Sequence, residues 1–180
     1  MDIDKLVNAL DNDVNDNIIN LTSTKITEMI LKILKELHIS RELTFNYLKK
    51  LKGYRYIDEI SDLKHGSFIR WIPITNPDYL PLHNCAMVCE IKIVDDGVLI
   101  MCKNFMHRHY TFKMEECLIF QKLTSQELVI ISALDHLENK KKLNNSHSDN
   151  SHSDNSHSDN SHSDNSQSDE ESDEESDDNK

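Results

Sequence analysis

Apolar residues recur along this chain with two different periods, and the change of period divides it. Ile26, Met29, Ile30, Ile33, Leu34 and Leu37 fall at i, i+3, i+4, i+7, i+8 and i+11, one stripe of an α-helix. Ser23 or Thr24 supplies the side-chain oxygen that caps it. Ser40 predicts the start of a second helix carrying Leu43, Tyr47, Leu48 and Leu51, with Gly53 placed to end it in a left-handed conformation. A short turn between the two makes a helical hairpin. Ahead of it, Met1 to about Leu10 fits a short helix. Asp11 to Asn20 (DNDVNDNIIN) reads as a linker, because Asp and Asn side chains compete for the backbone groups a helix needs.

After Gly53 the period becomes two. Tyr54 to Ile60, Ser67 to Ile74, Ala86 to Val94, Val98 to Lys103 and Arg108 to Met114 read as strands, with Leu118 to Gln121 as a short sixth. In the third, Met87, Cys89, Ile91 and Ile93 alternate with Val88, Glu90, Lys92 and Val94, and Asp95-Asp96-Gly97 is a tight hairpin turn into the fourth. Thr124-Ser-Gln-Glu127 matches a capping box. It predicts a last helix with Leu128, Ile131, Leu134 and Leu137 as its buried stripe.

These elements predict an α+β fold: an N-terminal helical hairpin, a small antiparallel five- or six-stranded barrel-like sheet, and a C-terminal helix. A barrel leaves no free sheet edge. The loop, glycine turn and strand of Asp62 to Ile72 also begin in the manner of SH3, Tudor or Sm barrels, a fold-level analogy that says nothing by itself of function.

Charge adds a boundary. The 180 residues carry a net charge of −12, unevenly placed. Residues 144–180 hold 12 Asp and Glu against one Lys, whereas residues 1–143 hold 20 against 19 Lys and Arg. The chain therefore divides into an N-terminal segment and linker (1–22), one folded domain (23–143) and an acidic tail (144–180). From Ser146 the tail repeats SHSDN four times, then runs SQSDE and ESDEE, without one apolar residue to offset the entropy of ordering, so it is expected to be disordered. It reads as a solvating arm, or as a polyanion that meets basic partners. Ser166, Ser168 and Ser172 each precede an acidic residue by three, the spacing acid-directed kinases use. His147, His152, His157 and His162 are weak metal donors on such a segment.

The chemistry-bearing residues of the body are few. Cys85, Cys89, Cys102 and Cys117 follow an N-terminus with no signal-peptide pattern, so the thiols are expected in a reducing, intracellular compartment. No apolar run nears the roughly 20 residues that span a bilayer. Cys85 and Cys89 in one strand would hold their sulfurs roughly 13 Å apart, too far for one ion; they read as core thiols. His107 and His109, two apart in a strand, are the better metal pair, with His83 or Cys85 the only further donors. No Gly-x-Ser-x-Gly is present, and three glycines cannot build a phosphate loop, so neither an enzyme nor a cofactor is expected. Lys49, Lys50, Lys52, Arg55 and Lys64 cluster near the helix–strand junction, interleaved with Tyr54 and Tyr56; with Arg70 and Arg108 they are the candidate nucleic-acid contacts. The same lysines also suit a helix C-terminus, and the tyrosines suit a core.

Three phrases, Leu51-Lys-Gly-Tyr-Arg-Tyr-Ile, Asp62-Leu-Lys-His-Gly-Ser-Phe-Ile-Arg-Trp-Ile and Ile119-Phe-Gln-Lys-Leu-Thr, together with the Asn-rich repetitive tail, resemble a group of uncharacterised proteins from giant DNA viruses of amoebae, the mimivirus relatives. The resemblance covers roughly residues 26–137 and brings no activity. It implies a viral protein in the infected-cell cytoplasm, at a viral factory or in the virion. The leading expectation is a non-enzymatic module that binds a protein partner, with the acidic tail tuning the contact. The alternatives are an RNA- or single-stranded-DNA-binding accessory factor and a structural component of the virion or viral factory.

Overall fold

The computed structural model describes residues 3–146, with side chains to Leu143. Ser166, Ser168, Ser172 and the four repeat histidines of the tail lie outside the described residues. In chain order the elements are α1 (Ile3–Leu10), a 3-10 helix (Asp13–Ile18), α2 (Ser23–Glu36), α3 (Arg41–Lys50), β1 (Tyr54–Ile57), β2 (Phe68–Pro73), β3 (Ala86–Val94), β4 (Gly97–Asn104), β5 (His109–Lys113), β6 (Cys117–Lys122) and α4 (Ser125–Ser146). Short 3-10 turns at Ile60–Asp62 and Met114–Glu116 interrupt the strand region. They end the first and fifth strands earlier than the alternation predicted. α4 continues past Asn144, where the tail was expected to begin.

α2 and α3 form the expected hairpin, with His38 at φ 53 turning the chain between them. Ser40 caps α3 through its Oγ, which accepts from the Leu43 amide. α2 is capped by Thr22, whose Oγ1 accepts from the Lys25 amide, and not by Ser23 or Thr24. The buried stripe of α2 is Ile26, Ile30 and Leu34; Met29 on its flank is exposed.

Asp11–Asn20 is not a linker. Its 3-10 helix packs on α4, with Ile18 wholly buried and Asn15 donating through Nδ2 to the Ala9 carbonyl at 2.9 Å and to Gln126 Oε1 at 3.2 Å. An Asn-rich segment tolerates the tight turn because its amides find acceptors across the interface. α4 is also rotated from its predicted stripe. Glu127, Ile130, Ile131 and Ala133 are buried, Leu134 is half-buried, and Leu128 and Leu137 face outward.

The strands form one antiparallel sheet in the order β1-β6-β2-β3-β4-β5. The sheet is open: β1 pairs only with β6 and β5 only with β4 among the described ladders, so the predicted barrel closure is absent. It is nonetheless strongly curled. Trp71 of β2 stacks on Phe112 of β5 with ring centroids 4.9 Å apart and meets Tyr110 edge-on at 5.5 Å. These residues lie three strands apart in the ladder. A bulge helps the bend: Val88 pairs with Cys102 but Glu90 pairs with Met101, leaving Cys89 as the extra residue. It also breaks the predicted alternation. Met87 stays on the outer face, whereas Ile91 and Val88 both join the inner one.

Two cores result. On the helix side, Tyr54, Phe120 and Ile72 of β1, β6 and β2 pack against Ile26, Ile30 and Leu34 of α2 and Ile130 and Ile131 of α4. On the inner side, Ile57, Ile69, Trp71 and Ile119 pack against Val88, Ile100 and Cys102 inside the curl. Each fully buried side chain here contributes about 1.5–3 kcal/mol of transfer free energy. β3, β4 and β5 send no described residue into the helix-side core, so the helices cover only half of the sheet's outer face.

Candidate functional site

The basic and aromatic residues expected to gather as a nucleic-acid site are dispersed by the fold. Tyr54 is only 7% exposed and packs beneath α2. Burial, and then its contact with Cys85, push its hydroxyl pKa up. Tyr56 does share a face with Tyr54, but its ring tilts against Phe120 at 5.9 Å. Its pKa is also raised, by burial first and then by the charges of Asp58 and Glu36. Arg70 lies over the Tyr54 ring at 5.7 Å, its Nε buried with no acceptor among the described residues. Arg108 stands apart, in the β4–β5 hairpin.

Arg55 and Lys64 turn inward, to an ionic cluster at the start of α4. Glu127 is wholly buried. Its Oε2 accepts from the Thr124 amide at 2.7 Å, and Thr124 Oγ1 accepts from the Glu127 amide at 3.2 Å, completing the predicted capping box. Its Oε1 accepts from Lys64 Nζ at 2.8 Å and lies 4.0 Å from Arg55 Nε. Arg55 Nη1 donates to Asp62 Oδ2 at 3.2 Å, and its Nη2 donates to the Asp62 carbonyl at 3.2 Å. Gln121, also fully buried, accepts through Oε1 from the Lys64 amide at 2.8 Å and the Ser67 hydroxyl at 2.9 Å. A buried base needs such a counter-charge; the cluster joins β1, the 59–67 segment, β6 and α4.

Lys49, Lys50 and Lys52 remain outside, at the end of α3. Lys49 and Lys52 border a feature that sequence reading missed. α2, α3 and α4 enclose a cleft of about 750 Å³ at the start of β1. Its floor and walls are Ile26, Ile30, Leu48, Leu51, Leu128 and Ile131; Lys49 and Lys52 stand on its rim. Leu128, 48% exposed, is the most open apolar wall residue. At the far end Ser23 reaches Asp135, donating from its amide at 2.9 Å and from its hydroxyl at 2.6 Å, so that carboxylate is engaged with the α2 N-terminus. The signal for this site was present as two apolar-lysine pairs, Leu48-Lys49 and Leu51-Lys52, three residues apart. A second cleft flanks α3 on its other side, between Leu31, Ile39, Phe45 and Leu48, with Lys49 Nζ 4.4 Å over the Phe45 ring.

The histidine and cysteine candidates separate in the same way. His107 occupies a left-handed position, φ 61, in the β4–β5 turn, and His109 begins β5, so they do not share a strand face. His83 instead lies flat on Trp71, centroids 4.8 Å apart, and burial lowers its pKa. Cys85 precedes β3 and Cys89 is the bulge residue; both are half-buried. Cys102 and Cys117 are buried, which pushes each thiol pKa up to about 12. No group of three or more His, Cys, Asp or Glu side chains converges on a common point among the described residues. No described helix is long and apolar enough to cross a membrane. No protein-family model matches this chain, and neither does any curated protein or any solved structure.

Proposed function

We propose that this chain is a non-catalytic protein-binding module whose cleft between α2, α3 and α4 receives the apolar face of an acidic partner segment. The observation that carries the reading is the pairing of an apolar floor with a cationic rim, Lys49 and Lys52. A helix or extended peptide gains most of its affinity by burying two or three apolar anchors in such a groove. Acidic residues beside those anchors meet the lysines, which sets orientation and on-rate more than strength. The C-terminal segment, with 12 acidic residues against one lysine, carries the same sign as this partner and tunes the contact by competing for the rim.

Panning 16-residue displayed peptides against the full chain tests this. The selected sequences are expected to carry paired apolar residues flanked by Asp or Glu. Leu128→Glu removes their binding while the fold persists, because Leu128 is half-exposed already. Lys49→Glu with Lys52→Glu weakens it and reduces its salt dependence. Peptides that bind the Leu128→Glu variant as well as the parent would place the partner elsewhere and end the proposal.

A further inference from the structure

The uncovered half of the sheet has a character of its own. Cross-strand pairing aligns Phe68 with Met87, Met87 with Lys103, and Lys103 with His109, one row across β2, β3, β4 and β5. Directly paired residues point to the same face. That face is the outer one, since Ile69, Val88, Cys102 and Tyr110, their sequence neighbours, fill the inner core. At one end of the row the β4–β5 turn lifts Phe105 and Met106 into solvent, each 75% exposed. Phe105 is stacked on Phe68, ring centroids 5.6 Å apart and planes at 21°.

The apex is braced. Asn104 Oδ1 accepts from the amides of Met106 and Arg108, both at 2.9 Å, and its Nδ2 donates to Tyr110 Oη at 3.3 Å. The Asn104 amide donates to the Arg108 carbonyl at 3.0 Å, and the His107 amide to the Asn104 carbonyl at 3.0 Å. An aromatic ring held open by its own turn has surrendered its conformational entropy before any ligand arrives.

Charge is segregated here too. Residues 97–114 contain Lys103, Arg108 and Lys113 and no Asp or Glu. Lys113 is bound to Asp96 at the far end of the hairpin. The one carboxylate on the strands of this face, Glu90, is paired with Lys92 at 3.1 Å. Lys103 and Arg108 have no ion-pair partner among the described residues.

We infer that this face binds single-stranded nucleic acid, a base stacking on the free side of Phe105 while Lys103 and His109 meet the backbone phosphates. The site is separate from the cleft. Unpaired bases expose their faces to such a platform, and duplexes hide them. Four strands span roughly 14 Å, room for two or three nucleotides.

The experiment is fluorescence anisotropy with labelled 12-nucleotide oligo-U and oligo-dT, with a 12-base-pair duplex as control, titrated with the full chain at two salt concentrations. Single strands are expected to bind at least fivefold more tightly than duplex. Phe105→Ala, at an exposed position, is expected to weaken binding about five- to a hundredfold without moving the unfolding midpoint. Lys103→Gln should lower the log–log salt slope by roughly one. The proposal is overturned by equal affinity for single strand and duplex, by unchanged affinity in the Phe105→Ala variant, or by no oligonucleotide binding at low salt. Binding to vesicles of 30% anionic lipid in place of oligonucleotides would overturn it in favour of a membrane surface.

Discussion

Lys64 Nζ sits 2.8 Å from Glu127 Oε1, the same carboxylate whose other oxygen caps α4. A local device of helix capping is thereby tied to residues more than sixty positions earlier in the chain. Glu127→Gln keeps an acceptor for the Thr124 amide but removes the negative charge between Lys64 and Arg55. Uncompensated buried charge costs about 3–5 kcal/mol. Lys64 retains some exposure, so a loss of about 2–4 kcal/mol is expected in urea unfolding. Thr124→Ala, which removes only the cap, should cost about 1 kcal/mol. Equal effects from the two would mean that the ionic cluster adds nothing.

Ile18 distinguishes a packed segment from a connector. It is wholly buried against the helix-side core. Ile18→Ala is expected to cost about 2–4 kcal/mol and to lower the melting temperature by several degrees. Asn15→Leu, which strands the Ala9 carbonyl, should cost about 1–3 kcal/mol. A neutral Ile18→Ala would restore this stretch to a linker.

The four thiols divide into two pairs by reactivity. Cys102 and Cys117, with pKa values of about 12, hold almost no thiolate at pH 8, whereas Cys85 and Cys89 are half-exposed. Brief iodoacetamide treatment of the native protein, followed by mass spectrometry, should label at most Cys85 and Cys89. Labelling of Cys102 and Cys117 should await unfolding. Their raised pKa also means that the unfolded chain loses these protons first as pH climbs above 9, so stability falls there.

His83 sets the opposite limb. Its folded-state pKa is lowered by burial against Trp71, so below the ordinary histidine value the unfolded chain binds the proton and the folded one does not. Stability is therefore full above that value and declines as pH drops through it. Chemical unfolding at pH 7.5 and 5.5 should show this decline, and His83→Phe, which retains a ring for the stack, should reduce it.

Local signals in the sequence were legible where one residue decides the geometry. Ser40 and the Thr124–Glu127 box capped the helices they were expected to cap, and the Asp95-Asp96-Gly97 turn joined β3 to β4. Thr22 was overlooked because three hydroxyl residues stand together and only backbone conformation selects among them. The extra residue at Cys89 is invisible to a period-two pattern, since a bulge shifts register without altering composition. Closure of the sheet was misjudged for a related reason. The alternation fixes which side chains face inward, but not whether β5 reaches β1. Of the expected basic cluster, Arg55 and Lys64 read as surface cations until their partners Asp62 and Glu127 were in place. The apolar walls of the cleft join the α2–α3 hairpin to α4, more than seventy residues later, and no local period records that junction.

The stacked rings of Trp71 and Phe112 have a mechanical meaning. On one side β5 is fastened by a hydrogen-bonded ladder to β4, and across the curl it meets β2 by side-chain packing, Trp71 on Phe112, with no ladder between them. Rings slide and part without leaving a donor or acceptor unsatisfied, whereas a ladder cannot. The sheet thus resembles a hoop with a soft clasp, β5 being the strand whose far side is held by packed rings and not by a ladder. Amide exchange should therefore run fastest along β5 and slowest along β6, the strand gripped from both sides.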